Sequence, residues 1–227
     1  MKRILMVLAI LTLAASVATM GATIVGTKHD LSATGGTTQR STNVGEVCGF
    51  CHIPHAAYTG TGTGGGTNRL VPLWSHTQTA TAAFTLYTSP TGTLNTTTLT
   101  QPAGVSRACL SCHDGTIGLG SIVGGVQLIN TAGTARVTPS NSAAVMTGTA
   151  MVGTDLSNDH PVSFTYNAAL ATADGGLVDP TTPAVSAMLF AGQVECGSCH
   201  DVHNNTLAPF LRVTMVNSAM CTTCHVK

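Results

Sequence analysis

The chain has 227 residues, with nine basic and nine acidic side chains that cancel to a formal charge of zero. Only 8% of its residues are charged and 4% aromatic. That composition excludes a basic nucleic-acid face and leaves few large side chains for a conventional apolar core.

Residues 1–18 read as a secretory signal. Lys2 and Arg3 give the positive start, Ile4 to Ala15 the apolar run, and Ser16-Val17-Ala18 a small-residue cleavage site. The competing reading is an uncleaved membrane anchor, but Thr19, Gly21, Thr23 and Gly26 dilute the apolar stretch beyond it. No cysteine precedes Cys48 to carry a lipid at the mature terminus. The expectation is therefore a secreted chain whose mature part is residues 19–227. Removing Lys2 and Arg3 leaves seven basic against nine acidic residues, a net charge of −2.

Along the mature chain, regular structure is sparse. Residues 56–106 are rich in threonine and glycine, most of all the run Thr59-Gly-Thr-Gly-Thr-Gly-Gly-Gly-Thr67, and they show no helical period. Short β-like runs follow at Ile122-Val123, Val126 to Ile129 and Ala135 to Val137, broken by glycine. Helices are expected only as short turns at the cysteine pairs and near the C-terminus. The fold class predicted is mostly irregular coil with short helices and few strands, in a single domain.

The eight cysteines decide what that domain packs around. They form four C-x-x-C pairs, each followed at once by histidine: Cys48-Gly-Phe-Cys51-His52, Cys109-Leu-Ser-Cys112-His113, Cys196-Gly-Ser-Cys199-His200 and Cys221-Thr-Thr-Cys224-His225. Two thiols three positions apart reach both vinyl groups of one haem, and the next imidazole becomes the proximal iron ligand. With nine histidines in the chain, four chance placements have odds on the order of one in a million. Zinc sites would not need histidine after every pair, a disulfide framework demands no such regularity, and a thioredoxin-type dithiol occurs once, in a βαβ setting. The cofactors implied are four covalently bound haem c groups, with roughly fifty mature residues around each. They would supply most of the buried apolar surface, so the haem-free chain is expected to be largely unfolded.

Five histidines remain as candidate sixth ligands: His29, His55, His76, His160 and His203. Methionine would raise the haem potential, whereas paired histidines keep it low. Asp30 and Asp159 adjoin His29 and His160 and are placed to orient those rings. Two motifs share the form C-G-x-C-H-x-x-H, ending in His55 and His203. A histidine three residues beyond the proximal ligand projects away from its own haem and can serve another. Five candidates for four positions let every iron be six-coordinate, which favours an electron carrier over an enzyme with an open iron.

The strings Lys28-His-Asp-Leu-Ser32, Cys48 to His55, Pro72-Leu-Trp-Ser-His76, Cys109 to Gly115, Asn158-Asp-His-Pro161 and Cys196 to His203 resemble a family of exported multihaem cytochromes of metal-reducing bacteria. Four motifs on this length are similar to its tetrahaem members, some of which polymerise into extracellular filaments called nanowires. The resemblance implies a continuous line of haems, with His55 completing a haem of the neighbouring subunit and His203 serving its own chain. His29, His76 and His160 then fill the last two positions with one to spare. The partners implied are further copies of the chain, other multihaem cytochromes, and extracellular metal oxides or other acceptors, reached from the cell surface or beyond it. The alternatives are a diffusible periplasmic tetrahaem shuttle and, less well supported, a multihaem terminal reductase.

Overall fold

The computed structural model describes residues 24–36, 40–41, 44–52, 71, 73–80, 83–89, 95, 99–122 and 145–226. The signal segment, His55 and the β-like runs at 126–137 lie outside them.

Ten residues make the longest described helix, α1 (Gly104–His113), and its last turn carries the second cysteine pair. The others are shorter: α2 (Ala168–Asp174), α3 (Pro183–Ser186), α4 (Cys196–Cys199) and α5 (Ala219–Cys224). Single 3-10 turns lie at Cys48–Phe50 and Val216–Ser218. A two-stranded antiparallel sheet pairs β1 (Phe164–Thr165) with β2 (Gln193–Val194), in the register Phe164 to Val194. The result is a single small domain, mostly coil, as the composition predicts.

Helices α2 and α3 were not among the expected elements, yet each has a local cause. Asn167 caps α2, its side chain accepting from Leu170 N–H at 2.9 Å. Gly175, at φ 70°, closes that helix with a hydrogen bond from its N–H to the Ala171 carbonyl. Pro183 opens α3 with its φ preset. The reversal into β2 is a two-residue turn in which Ala191 and Gly192 both take positive φ, and Phe190 and Gln193 exchange 3.0 Å backbone hydrogen bonds.

Among the described residues, three small apolar clusters stand where one core would be. Val44 and Phe50 pack under the first cysteine pair, and Phe84, Leu110 and Leu156 beside the second. Tyr166, Val185 and Val194 pack with Leu170, Leu177 and Cys224 beneath the fourth. Each cluster therefore sits against a C-x-x-C-H motif, which links the meagre burial directly to the candidate site. Among the described residues no helix is long and apolar enough to cross a membrane.

Candidate haem-binding site

No disulfide joins any of the eight cysteines, and among the described residues no three His, Cys, Asp or Glu side chains converge on a bare metal ion. The four motifs share one local geometry. In three of them the histidine N–H returns to the carbonyl of the first cysteine: His52 to Cys48 at 2.8 Å, His200 to Cys196 at 3.1 Å and His225 to Cys221 at 2.9 Å. In the second motif Asp114 N–H closes on Leu110 instead. A single helical turn thus spans each cysteine pair, and in the third and fourth motifs the backbone becomes extended at the histidine that follows.

Burial pushes the Cys51 thiol up to about 11, helped by Cys48, and pushes Cys112 up to about 12. The Cys109 thiol donates to Cys196, which raises Cys109 and lowers Cys196. The second and third motifs are consequently in direct contact through their first cysteines.

Six of the imidazoles come together in pairs. Ring centroids of His29 and His113 are 6.0 Å apart, those of His52 and His203 6.3 Å, and those of His160 and His225 6.3 Å. Two imidazoles ligating one iron from opposite sides have centroids about 6 Å apart, given a metal–nitrogen bond of roughly 2.0 Å and about 1.1 Å from nitrogen to ring centre. Each pair joins one motif histidine to one of the five others. In two of the paired rings Nδ1 meets a carbonyl, that of His113 lying 2.7 Å from Ala150 and that of His160 2.9 Å from Pro161, and Nδ1 of the unpaired His200 lies 3.1 Å from Pro209; Nδ1 of His29 is buried without a partner. Such carbonyl contacts fix the tautomer and leave Nε2 for a metal. His29 is brought down to about 4, chiefly by burial and then by His113, His200 and His203, so its ring is neutral as a ligand must be.

His76 differs. It is 1% exposed, with Nδ1 2.9 Å from the Thr77 carbonyl and Nε2 3.1 Å from that of Gly118, so both nitrogens face the backbone. Among the described residues His200 meets no second imidazole at pairing distance. His55, predicted as a ligand, lies outside the described residues. Asp159 and Asp30 make no contact with the rings beside them; Asp30 instead accepts from Gly26 N–H, Ser32 N–H and the Ser32 hydroxyl.

Two further residues could not be picked out from the sequence. Trp74 stands edge-on to His52 at 6.0 Å, with its indole N–H buried and unpartnered, a donor suited to a haem propionate. Tyr166 donates from its hydroxyl to the Val178 carbonyl at 2.6 Å and the Cys224 carbonyl at 3.2 Å, holding the strand beside the fourth motif. The donor set, the pair spacings and the buried donor together fit haem.

The doubled CXXCH motif, a recognised sequence family, matches residues 188–227 and so takes in the third and fourth motifs. No curated protein matches the chain. The match points to a multihaem c-type cytochrome, with haem c held covalently and electron transfer as its activity.

Proposed function

We propose that the chain is a tetrahaem electron conductor whose subunits join head to tail into an extracellular filament. Each bound haem supplies a one-electron ferric–ferrous couple; the chain supplies ligands, spacing and shielding. Cys48 and Cys51, Cys109 and Cys112, Cys196 and Cys199, and Cys221 and Cys224 form the thioethers. His52, His113, His200 and His225 are the proximal ligands, and His203, His29 and His160 complete the first, second and fourth sites.

The observation that carries the filament reading is the count left over. His200 has no paired imidazole among the described residues and His76 is committed to two carbonyls, so His55 remains for the third site. His55 contributed by a neighbouring copy makes the third site complete only in the polymer, and a heterologous contact that does not close propagates without limit. Such a filament, exported by the segment at 1–18, carries electrons to metal oxides or other external acceptors.

The test is negative-stain electron microscopy of protein purified by its haem absorbance, wild type beside His55→Ala. Regular filaments are expected from the wild type, and single haem-loaded subunits from the variant. Filaments of normal length from His55→Ala would overturn the assembly, and discrete wild-type particles would make the chain a periplasmic shuttle.

A further inference from the structure

Glu195 immediately precedes the third motif and is 1% exposed. Its carboxylate lies where α1 crosses α4. Oε2 accepts from Ser106 N–H at 3.1 Å, from the Ser106 hydroxyl and from the Ser163 hydroxyl at 3.0 Å. Oε1 is buried without a partner. The Ser106 hydroxyl oxygen also accepts from Cys196 N–H at 2.9 Å, so one serine ties the carboxylate to both helices. The crossing is close: a side chain at Gly197 would meet the Phe190 ring at 2.8 Å and Val105 at 2.9 Å. Cys109 and Cys196, the first attachment points of the second and third motifs, touch beside it.

The other titratable groups on these elements are accounted for. On α1, Cys109 and Cys112 are thioethers and His113 an iron ligand once haem is attached, while Arg107 donates to the Thr79 carbonyl at 2.5 Å. On α4 the same holds for Cys196, Cys199 and the His200 that follows. On the loop bearing Ser163, His160 is a ligand and Asp159 is exposed. Arg212 donates to the Gly197 carbonyl at 2.6 Å. No salt bridge to Glu195 occurs among the described residues.

Two opposed effects therefore act on this carboxyl. Burial without a cation favours the neutral acid, and the bonds from Ser106 and Ser163 favour the anion. Burial is the larger, so the group lies above the ordinary glutamate range.

Resting on the haem reading above, we infer that Glu195 takes up a proton when the haem pair attached beside it is reduced, so that electron transfer through this pair is coupled to protonation. The balance is simple. One electron arrives from the donor and adds one negative charge next to a dry carboxylate; one proton arrives from water; an O–H bond forms at Glu195. Reoxidation releases both. The linkage sign follows: raising the pH removes the proton, leaves the carboxylate charge beside the pair, and lowers its potential. At full coupling the one-electron equilibrium changes tenfold per pH unit, which is about 59 mV.

The experiment is spectropotentiometric titration of the haem-loaded protein across pH, with redox-difference infrared spectra, for wild type, Glu195→Gln and Ser163→Ala. In the wild type, one low-to-intermediate potential component should fall with pH, and a protonated-carboxyl band should appear on reduction. Glu195→Gln, nearly isosteric, should keep its haem content and lose both signals. Ser163→Ala removes one donor from the anion, so its pH window should move upward by about one unit or more, and this variant serves if the glutamine form does not fold. Fully haem-loaded Glu195→Gln with an unchanged pH slope, or Ser163→Ala with an unmoved window, overturns the coupling alone. Purified protein lacking covalent haem overturns the underlying reading with it.

Discussion

The first and fourth motifs solve the same problem with opposite materials. Around Cys48–Cys51 the burial is polar: Asp30, Ser32 and Ser41 are 0% exposed, and the apolar contribution is Val44 and Phe50 with a few partly buried neighbours. Around Cys221–Cys224 it is apolar, with Tyr166, Val185 and Val194 at the centre of the most populated of the three clusters. Apolar burial is non-directional and roughly proportional to area, whereas a buried polar network holds only while every partner is in place. The fourth motif thus has a scaffold that packs by itself. On the tetrahaem reading proposed above, the first leans on its haem for apolar surface.

The largest effect that sharpens this contrast comes from removing a haem. Replacing Cys48 and Cys51 by serine should strip protection from the segment around Asp30 to Phe50. The same change at Cys221 and Cys224 should leave most of the protection between Phe164 and Val194. Amide hydrogen exchange on the two purified variants measures this directly, and equal losses in both regions would break the comparison.

Next in size is Tyr166→Ala, which empties the centre of the apolar scaffold and should cost about 3–5 kcal/mol in denaturant unfolding. Tyr166→Phe removes only the hydroxyl bonds and should cost about 1 kcal/mol. Burial pushes the Tyr166 hydroxyl up to about 12, so it remains a neutral donor across the physiological range and its contribution should not vary there.

On the polar side, Asp30→Asn should cost about 1–3 kcal/mol, because it leaves donors unmatched in a buried site. The cost should also depend on pH with a definite sign. Burial alone would raise the Asp30 carboxyl, but the Ser32 hydroxyl, Gly26 N–H and Ser32 N–H outweigh it and hold it below the usual range. A depressed carboxyl stabilises the fold above its unfolded value and loses that contribution as the pH falls through its folded value. Wild type and Asp30→Asn should therefore converge in unfolding midpoint as the pH drops below about 4, and a constant gap would show that the carboxylate charge is not what matters.

The contrast also explains what could be read from the sequence. The four C-x-x-C-H motifs were legible because thioether chemistry fixes residue type and spacing locally. The sparse regular structure was legible because so few large apolar residues are present. The pairs His29 with His113 and His160 with His225 were not, since each joins positions far apart in the chain and only the folded path brings them together. Glu195 was hidden for the same reason: apart from its local capping-box contact with Ser198, its donors are Ser106 and Ser163, both remote in sequence. Of the carboxylates that adjoin histidines, Asp30 is committed to Gly26 and Ser32 and not to the ring of His29.

Helix α2 is the instructive exception, being local in origin yet absent from the expected elements. Asn167-Ala-Ala-Leu-Ala-Thr-Ala-Asp-Gly175 carries an N-cap, an alanine-rich interior and a glycine stop, which together specify a helix. Its seven residues are too few for stability alone, and none is fully buried. The helix persists because Leu170 and Ala171 rest against the Tyr166 cluster, so capping and packing each supply part of what is needed. Asn167→Ala should then cost about 1 kcal/mol, the smallest effect expected here, and it should be local. Exchange of amides in α2 should quicken while those at Val185 and Val194 hold their rates. If the cluster amides quicken equally, α2 is part of the scaffold beneath the fourth motif and not an appendage resting on it.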